Sequence, residues 1–222
     1  MLILGVDTSG RNASIALVEF GQGSPRTLEV VPLEGGTFSA QLVPQISDLL
    51  VRHGLSQHDM DGFAVVSGPG SFTGLRVGLA AIKALAEALE KPIAAVSLLE
   101  ATALASGRQG EITALMDAGR GEVYAGDFKI SGRQAIAGRQ RSLELRELAW
   151  SRDREIVAAD LKVVELARQQ GLQVNQVADP RADSIAALGF ERITAGETVS
   201  ALDLDANYIR PSEAEIKKPM PE

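Results

Sequence analysis

The chain has 222 residues, 45% of them hydrophobic, a formal charge of −7 and no cysteine. That length and apolar content suffice for a sizeable core, in one large domain or two small lobes, and exclude a disordered or fibrous chain. Without cysteine there are no disulfides, thiol nucleophiles or cysteine-bound zinc, and the negative charge argues against a broad, sequence-independent nucleic-acid surface, which would rest on Lys and Arg neutralising phosphates.

If RNA is involved, another component is expected to carry most of the binding. Residues 1–6 have no basic leader, and no apolar stretch approaches the length of a membrane span, so a soluble, cytoplasmic protein is expected. Residues 2–6, 13–20 and 27–31 read as three strands separated by small polar and Gly/Pro turns, a meander opening a sheet. In 39–53, Leu42, Ile46, Leu49 and Leu50 follow the i, i+4, i+7, i+8 spacing of an amphipathic helix, with Gly54 as its stop. Pro44 favours a start near Gln41 or Leu42. Residues 63–67 predict a strand, 74–90 a helix, Lys91-Pro92 a break and 93–96 another strand, which together suggest a mixed sheet with helical crossovers. In the second half, 112–116 and 122–130 read as strands and 156–158 as a short one. Residues 144–150, 160–170 and 184–195 read as helices, and the tail 217–222 is expected to fray.

The strand at 63–66 runs into Gly68-Pro69-Gly70-Ser71-Phe72-Thr73-Gly74-Leu75-Arg76. Three glycines and a proline suit a sharp, backbone-exposing turn after a strand. Ser71 and Thr73 can cap the helix beginning near Gly74, and free N–H groups at a helix start favour an anion or an acidic partner. The same composition also suits a well-capped structural turn.

The two halves echo each other. Leu4-Gly5-Val6 ends in Asp7, a small-residue turn follows and a strand returns. Residues 112–116 likewise lead to Asp117-Ala118-Gly119-Arg120-Gly121 before a second strand. This hints at a duplication, with two related lobes facing a cleft, divided as 1–105 and 106–222.

Five segments in order across nearly the full chain carry a resemblance: 4–9, 68–76, Val96-Ser97-Leu98-Leu99-Glu100-Ala101, 116–124 and Tyr208-Ile209-Arg210-Pro211. They resemble the bacterial TsaB (YeaZ) family. The resemblance implies an α/β protein of the actin-like, sugar-kinase-like (ASKHA) fold, with two related lobes and mixed sheets. It implies a noncatalytic accessory subunit in making threonylcarbamoyladenosine next to the anticodon of ANN-decoding tRNAs. The implied partners are the catalytic paralogue TsaD and the ATPase TsaE, with tRNA met through the complex and a homodimer when TsaD is absent. No cofactor is expected on this subunit alone; ATP or ADP with Mg²⁺ belongs, if anywhere, to the complex.

In the paralogue a His-x-x-x-His pair helps to bind a metal. The corresponding stretch here, Thr37-Phe38-Ser39-Ala40-Gln41, has no imidazole, and the His-Ser pair of many family members is also missing. His53 and His58 are five apart without a carboxylate cluster, so both read as surface-loop residues and no metal site is expected.

A serine hydrolase would want Gly-x-Ser-x-Gly, but Ser71 lies one position early and no His–Asp pair accompanies it. The stronger competitor is a free-standing nucleotide-dependent phosphotransferase of the same fold. Asp7 with Thr8 and Ser9, and Asp117 with Gly119 and Gly121, stand where such enzymes place Mg²⁺-linked carboxylates and phosphate-cradling turns. Gly70, Ser71 and Thr73 are further candidate phosphate contacts. No Gly-Gly adenosine loop is evident late in the chain, however, and the second lobe is short. Asp117 is read as a turn former; for Asp7 both readings stay open.

Along 75–89, Val77, Ala81, Ala84 and Ala88 share one stripe, while Leu79, Ile82 and Leu85 lean elsewhere. The helices 41–51 and 75–89 are expected to form a self-complementary patch that makes the homodimer and is reused for TsaD. Its expected members are Leu42, Ile46, Leu49, Phe72, Leu75, Arg76, Val77, Ala81, Ala84 and Ala88. No catalytic residue is assigned.

Overall fold

Two five-stranded sheets with the same strand order carry the fold. The computed structural model describes residues 1–34, 38–148 and 154–209. The elements are β1 (Leu2–Asp7), β2 (Ser14–Glu19), β3 (Arg26–Pro32), α1 (Phe38–Arg52), β4 (Gly62–Gly68), α2 (Phe72–Leu89), β5 (Ile93–Ser97), α3 (Leu98–Leu104), β6 (Gly110–Gly119), β7 (Glu122–Ser131), β8 (Gln134–Glu144), β9 (Glu155–Ala158), α4 (Leu161–Gln169), β10 (Val174–Gln176) and α5 (Ala182–Ala195).

The sheets are ordered β3-β2-β1-β4-β5 and β10-β9-β6-β7-β8. In each, the first three strands form an antiparallel meander and the last two join in parallel. Reading the second sheet from β8 to β10 reproduces the first. The duplication suggested by Asp7 and Asp117 is therefore present in the backbone, with each aspartate toward the end of its sheet's first strand.

The chain divides into one unit of Met1–Ala101 with Ala178–Ala206 and a second of Thr102–Val177 with the described residues from Asn207. The sequence boundary at 105 places 184–195 in the second half, whereas α5 packs on the first sheet against β1, β4, β2 and β5. Its stripe Ala182, Ile185, Ala186 and Gly189 is buried at i, i+3, i+4, i+7 spacing. Small residues allow the close seating: a side chain at Gly189 would overlap Ala64, and one at Gly5 would overlap the Ala182 carbonyl. The Ala182 N–H donates to Ser14 Oγ at 3.1 Å, and Phe190 stacks on Phe20 with ring centroids 4.2 Å apart.

On the same sheet α1 buries Leu42, Ile46, Leu49 and Leu50, and α2 buries Leu75, Gly78, Leu79, Ile82 and Ala86. Helix α1 begins at Phe38, ahead of the start suggested by Pro44. Pro44 therefore lies inside the helix, and the Ala40 carbonyl lacks its usual backbone donor. Gly54, at φ 66°, follows the helix end as expected. In the second unit, Leu115, Val123, Ala125, Ile156, Val163, Val164, Ala167 and Val174 form the core between the sheet and α4.

Three elements, β8, α3 and β10, are absent from the sequence reading. The helix expected over 144–150 is instead the end of β8, a short 3-10 turn at Leu145–Glu147, and an extended Leu148. Leu145 and Leu148 insert into the second core, which their spacing of three permits without a helix. Residues 149 and 150 lie outside the described part, as do Thr37, Arg210-Pro211 and the tail 217–222.

Candidate functional site

Strands β1 and β4 are parallel neighbours, with Val6 opposite Val65, so their C-terminal ends bring Asp7-Thr8-Ser9 against the turn that opens α2. Asp7, Thr8 and Ser9 are all buried. Asp7 Oδ1 accepts the Ser9 N–H at 2.8 Å and the Ser9 hydroxyl at 2.6 Å. The Thr8 hydroxyl donates to the Gly74 carbonyl at 2.7 Å, and the Ser71 N–H donates to the Ser9 carbonyl at 2.6 Å. The glycines of the turn admit this approach: a Cβ at Gly70 would lie 2.5 Å from the Ser9 oxygen, and those at Gly74 and Gly78 would overlap Thr8.

Ser71 caps α2, its hydroxyl accepting the Gly74 N–H at 3.3 Å, and Thr73 is exposed on the first turn. The 7–9 segment thus packs directly against the turn that opens α2, and the two are joined by the Thr8–Gly74 and Ser71–Ser9 hydrogen bonds. Among the described residues, no buried side-chain nitrogen or oxygen lacks a hydrogen-bond partner.

Burial pushes the Asp7 carboxyl up to about 6, against the hydrogen bonds from Ser9; the nearby Asp179, which accepts from Asn12, adds to the rise. The folded chain therefore binds this proton more tightly than the unfolded chain, so stability falls as pH rises from about 4 through about 6. Asp7→Asn keeps an oxygen for Ser9 and removes the buried charge. It is expected to stabilise the fold at pH 7.5 by up to about 3 kcal/mol. The gain should vanish near pH 4 in denaturant titrations, and a variant no more stable than the parent at pH 7.5 would contradict the assignment.

Asp117, placed by the duplication at the corresponding strand end, is a turn former: its Oδ1 accepts the Gly119 N–H at 2.9 Å, and Oδ2 meets Lys162 Nζ at 2.8 Å. His53 lies in the turn just after α1, half-buried and bonded to Glu29 at 2.9 Å, and His58 is exposed in the 3-10 turn Gln57–Asp59. Among the described residues, no group of three or more His, Asp or Glu is placed to hold a metal ion.

The residues expected at a partner face divide by helix side. Leu42, Ile46, Leu49 and Leu75 are buried in the chain's own core, which corrects their placement at an interface: the apolar stripe that defines an amphipathic helix is the side that meets its own sheet. On α2, Ala84 and Ala88 are exposed, and Val77 and Ala81 are half-buried. Phe72 is 41% exposed, with the Arg76 guanidinium 3.7 Å from its ring centroid. Helix α1 lies beside α2 and presents Val43, 56% exposed, and Val51, 71% exposed. These two valines were not singled out from the sequence, although they were legible as the apolar residues left off the Leu42/Ile46/Leu49 stripe.

Two mixed sheets of one duplicated order, with helical crossovers, define an α/β protein of the actin-like class. A family model described as "TsaD: tRNA N6-adenosine threonylcarbamoyltransferase" matches residues 30–211. The tRNA threonylcarbamoyladenosine biosynthesis protein TsaB of Bacillus subtilis is 30% identical over 231 residues, covering 98% of this chain and 97% of that protein. The Escherichia coli protein of the same name is 28% identical over 232 residues, 99% of each chain. The solved structure of YeaZ from Pseudomonas aeruginosa is 28% identical, with a TM-score of 0.74, over 93% of this chain and 100% of that one. The chain belongs to this transferase family and, within it, to the TsaB (YeaZ) proteins.

Proposed function

We propose that the chain is a noncatalytic subunit of cytoplasmic tRNA threonylcarbamoyladenosine synthesis that binds a TsaD-like catalytic paralogue through the outward faces of α1 and α2. Its Bacillus subtilis and Escherichia coli relatives are named for this pathway, which supports the reading. The observation that carries the binding role is the face of α2 turned away from the sheet, where Ala84 and Ala88 are exposed beside half-buried Val77 and Ala81. Small side chains let a partner helix approach closely, and the neighbouring Val43, Val51 and Phe72 supply apolar area. The same face suits a homodimer when the paralogue is absent. TsaE, and ATP or ADP with Mg²⁺, belong to the assembled complex in this reading.

Co-purification with tagged TsaD tests it directly. Ala84→Arg places a long cation in the contact and is expected to weaken association by about 3 kcal/mol, roughly a hundredfold. In the monomer the guanidinium reaches water and arginine is a good helix former, so the circular dichroism melt should stay near that of the parent. Light scattering that shows an unchanged dimer and unchanged TsaD binding would place the contact elsewhere. Mg²⁺-dependent ATP turnover by the chain alone, abolished by Asp7→Asn, would replace this reading with a phosphotransferase.

A further inference from the structure

Residues 128–143 contain Lys129, Arg133, Arg139 and Arg141 and no Asp or Glu, so the other residues, with 18 basic and 29 acidic, carry −11. This segment is the outer part of the β7–β8 hairpin. Strand β8 is the edge of its sheet, and none of its eleven residues is buried. Asp127 accepts Arg141 at 2.7 Å and Arg154 at 3.0 Å, and Glu111, opposite Lys129 on the neighbouring strand, pairs with Arg154 at 3.7 Å. Lys129, Arg133 and Arg139 are exposed. From the hairpin tip at Arg133 to Arg139 a strand runs about 20 Å, enough to follow several backbone phosphates. Ile136, 67% exposed, is the large apolar side chain that the ribbon presents outward, while Phe128 and Ile130 are buried.

We infer that the β7–β8 ribbon is a contact surface for the phosphate backbone of RNA. The segregation of positive charge in an acidic chain carries the inference. A ribbon with charge but no cluster of apolar anchors suits a polyanion, which is held through its phosphates, better than a protein, whose interface core is apolar and depleted in charge. The contact is local, so it adds to binding by an assembly instead of giving the chain a high affinity of its own. It deepens the tRNA-directed role proposed above and rests on it.

The test uses the full chain and fluorescently labelled, unmodified tRNA, followed by anisotropy between about 50 and about 200 mM salt. The parent is expected to bind at the low end. Lys129→Glu/Arg133→Glu/Arg139→Glu should weaken binding at least tenfold and flatten the log–log salt dependence by about 2, because each lost phosphate contact removes about 0.7–0.9. Arg26→Glu, a charge reversal on β3 of the other sheet, should leave both unchanged. TsaD association, measured separately by light scattering, should be the same for parent and triple variant; its loss in both would count against the subunit role instead. Equal tRNA affinity of parent and triple variant, or no binding by the parent at low salt, overturns the inference. So does a triple variant that self-associates with tRNA binding intact, since the charges would then only guard an open sheet edge. Stronger charge-dependent binding to polyglutamate than to tRNA would also overturn it, in favour of an acidic protein partner.

Discussion

Arg192→Ala is expected to cost about 3 kcal/mol of folding stability, or roughly 6–12 °C in Tm for a chain of this size. Arg192, near the end of α5, bonds the Ala95 carbonyl and the Glu100 carboxylate, with its side chain 25% exposed and that of Glu100 11% exposed. Burial pushes the Glu100 carboxyl up even with the guanidinium opposing it, and Glu197 and Glu191 add to the rise. Removing Arg192 leaves a buried charge without its partner, a costlier state than having neither. Without Arg192 the folded carboxyl rises further above its unfolded value, so the loss is largest at neutral pH and shrinks as pH falls into the carboxylic range. Glu100→Gln/Arg192→Ala should recover part of the stability at pH 7.5. A thermal melt of Arg192→Ala within 2 °C of the parent would show that the pair is solvated and carries little.

Gly74→Ala is expected to destabilise by about 2–3 kcal/mol or more, although alanine gains about 1 kcal/mol over glycine in a helix. The added methyl group would overlap the Thr8 carbonyl, a backbone atom that cannot rotate away, and would spread the contact in which the Thr8 hydroxyl reaches Gly74. Exposed glycines on the same chain make the comparison: a Cβ at Gly10 or Gly21 would meet nothing within 4 Å. Urea titrations of Gly74→Ala and Gly10→Ala should therefore separate clearly. Equal midpoints would mean that the 7–9 segment is free to withdraw from α2.

The first unit was largely legible in the sequence because its signals are local and strong. Alternating and continuous apolar runs marked β1, β2, β4 and β5, Gly54 marked the end of α1, and the glycine-rich turn marked the entry to α2. Even the duplication could be read, since the same strand, aspartate and turn occur twice. Strand β8 was not, because a strand with no buried residue has no apolar period to detect, and β10 is only three residues long. Of the site, the outward stripe of α2 was readable from spacing alone. From the sequence, Leu42, Ile46, Leu49 and Leu75 read as partner residues because a helix's apolar stripe looks the same whether it faces its own sheet or another chain. Asp7 is open for a related reason: aspartate after a strand serves a ligand or a turn equally well, and its Oδ1 bonds to Ser9 are compatible with both.

The return of α5 to the first sheet also orders events in time. The ribosome completes β1 to β5 before any residue of α5 has been made, so the side of that sheet bearing Gly5 and Ala64 waits for a cover encoded far downstream. The chain must build the whole of its second sheet in the interval. A domain closed by such distant contacts folds late and slowly, with apolar surface exposed meanwhile. A nascent or truncated chain ending before Ala182 thus presents a sheet that chaperones would recognise as unfinished.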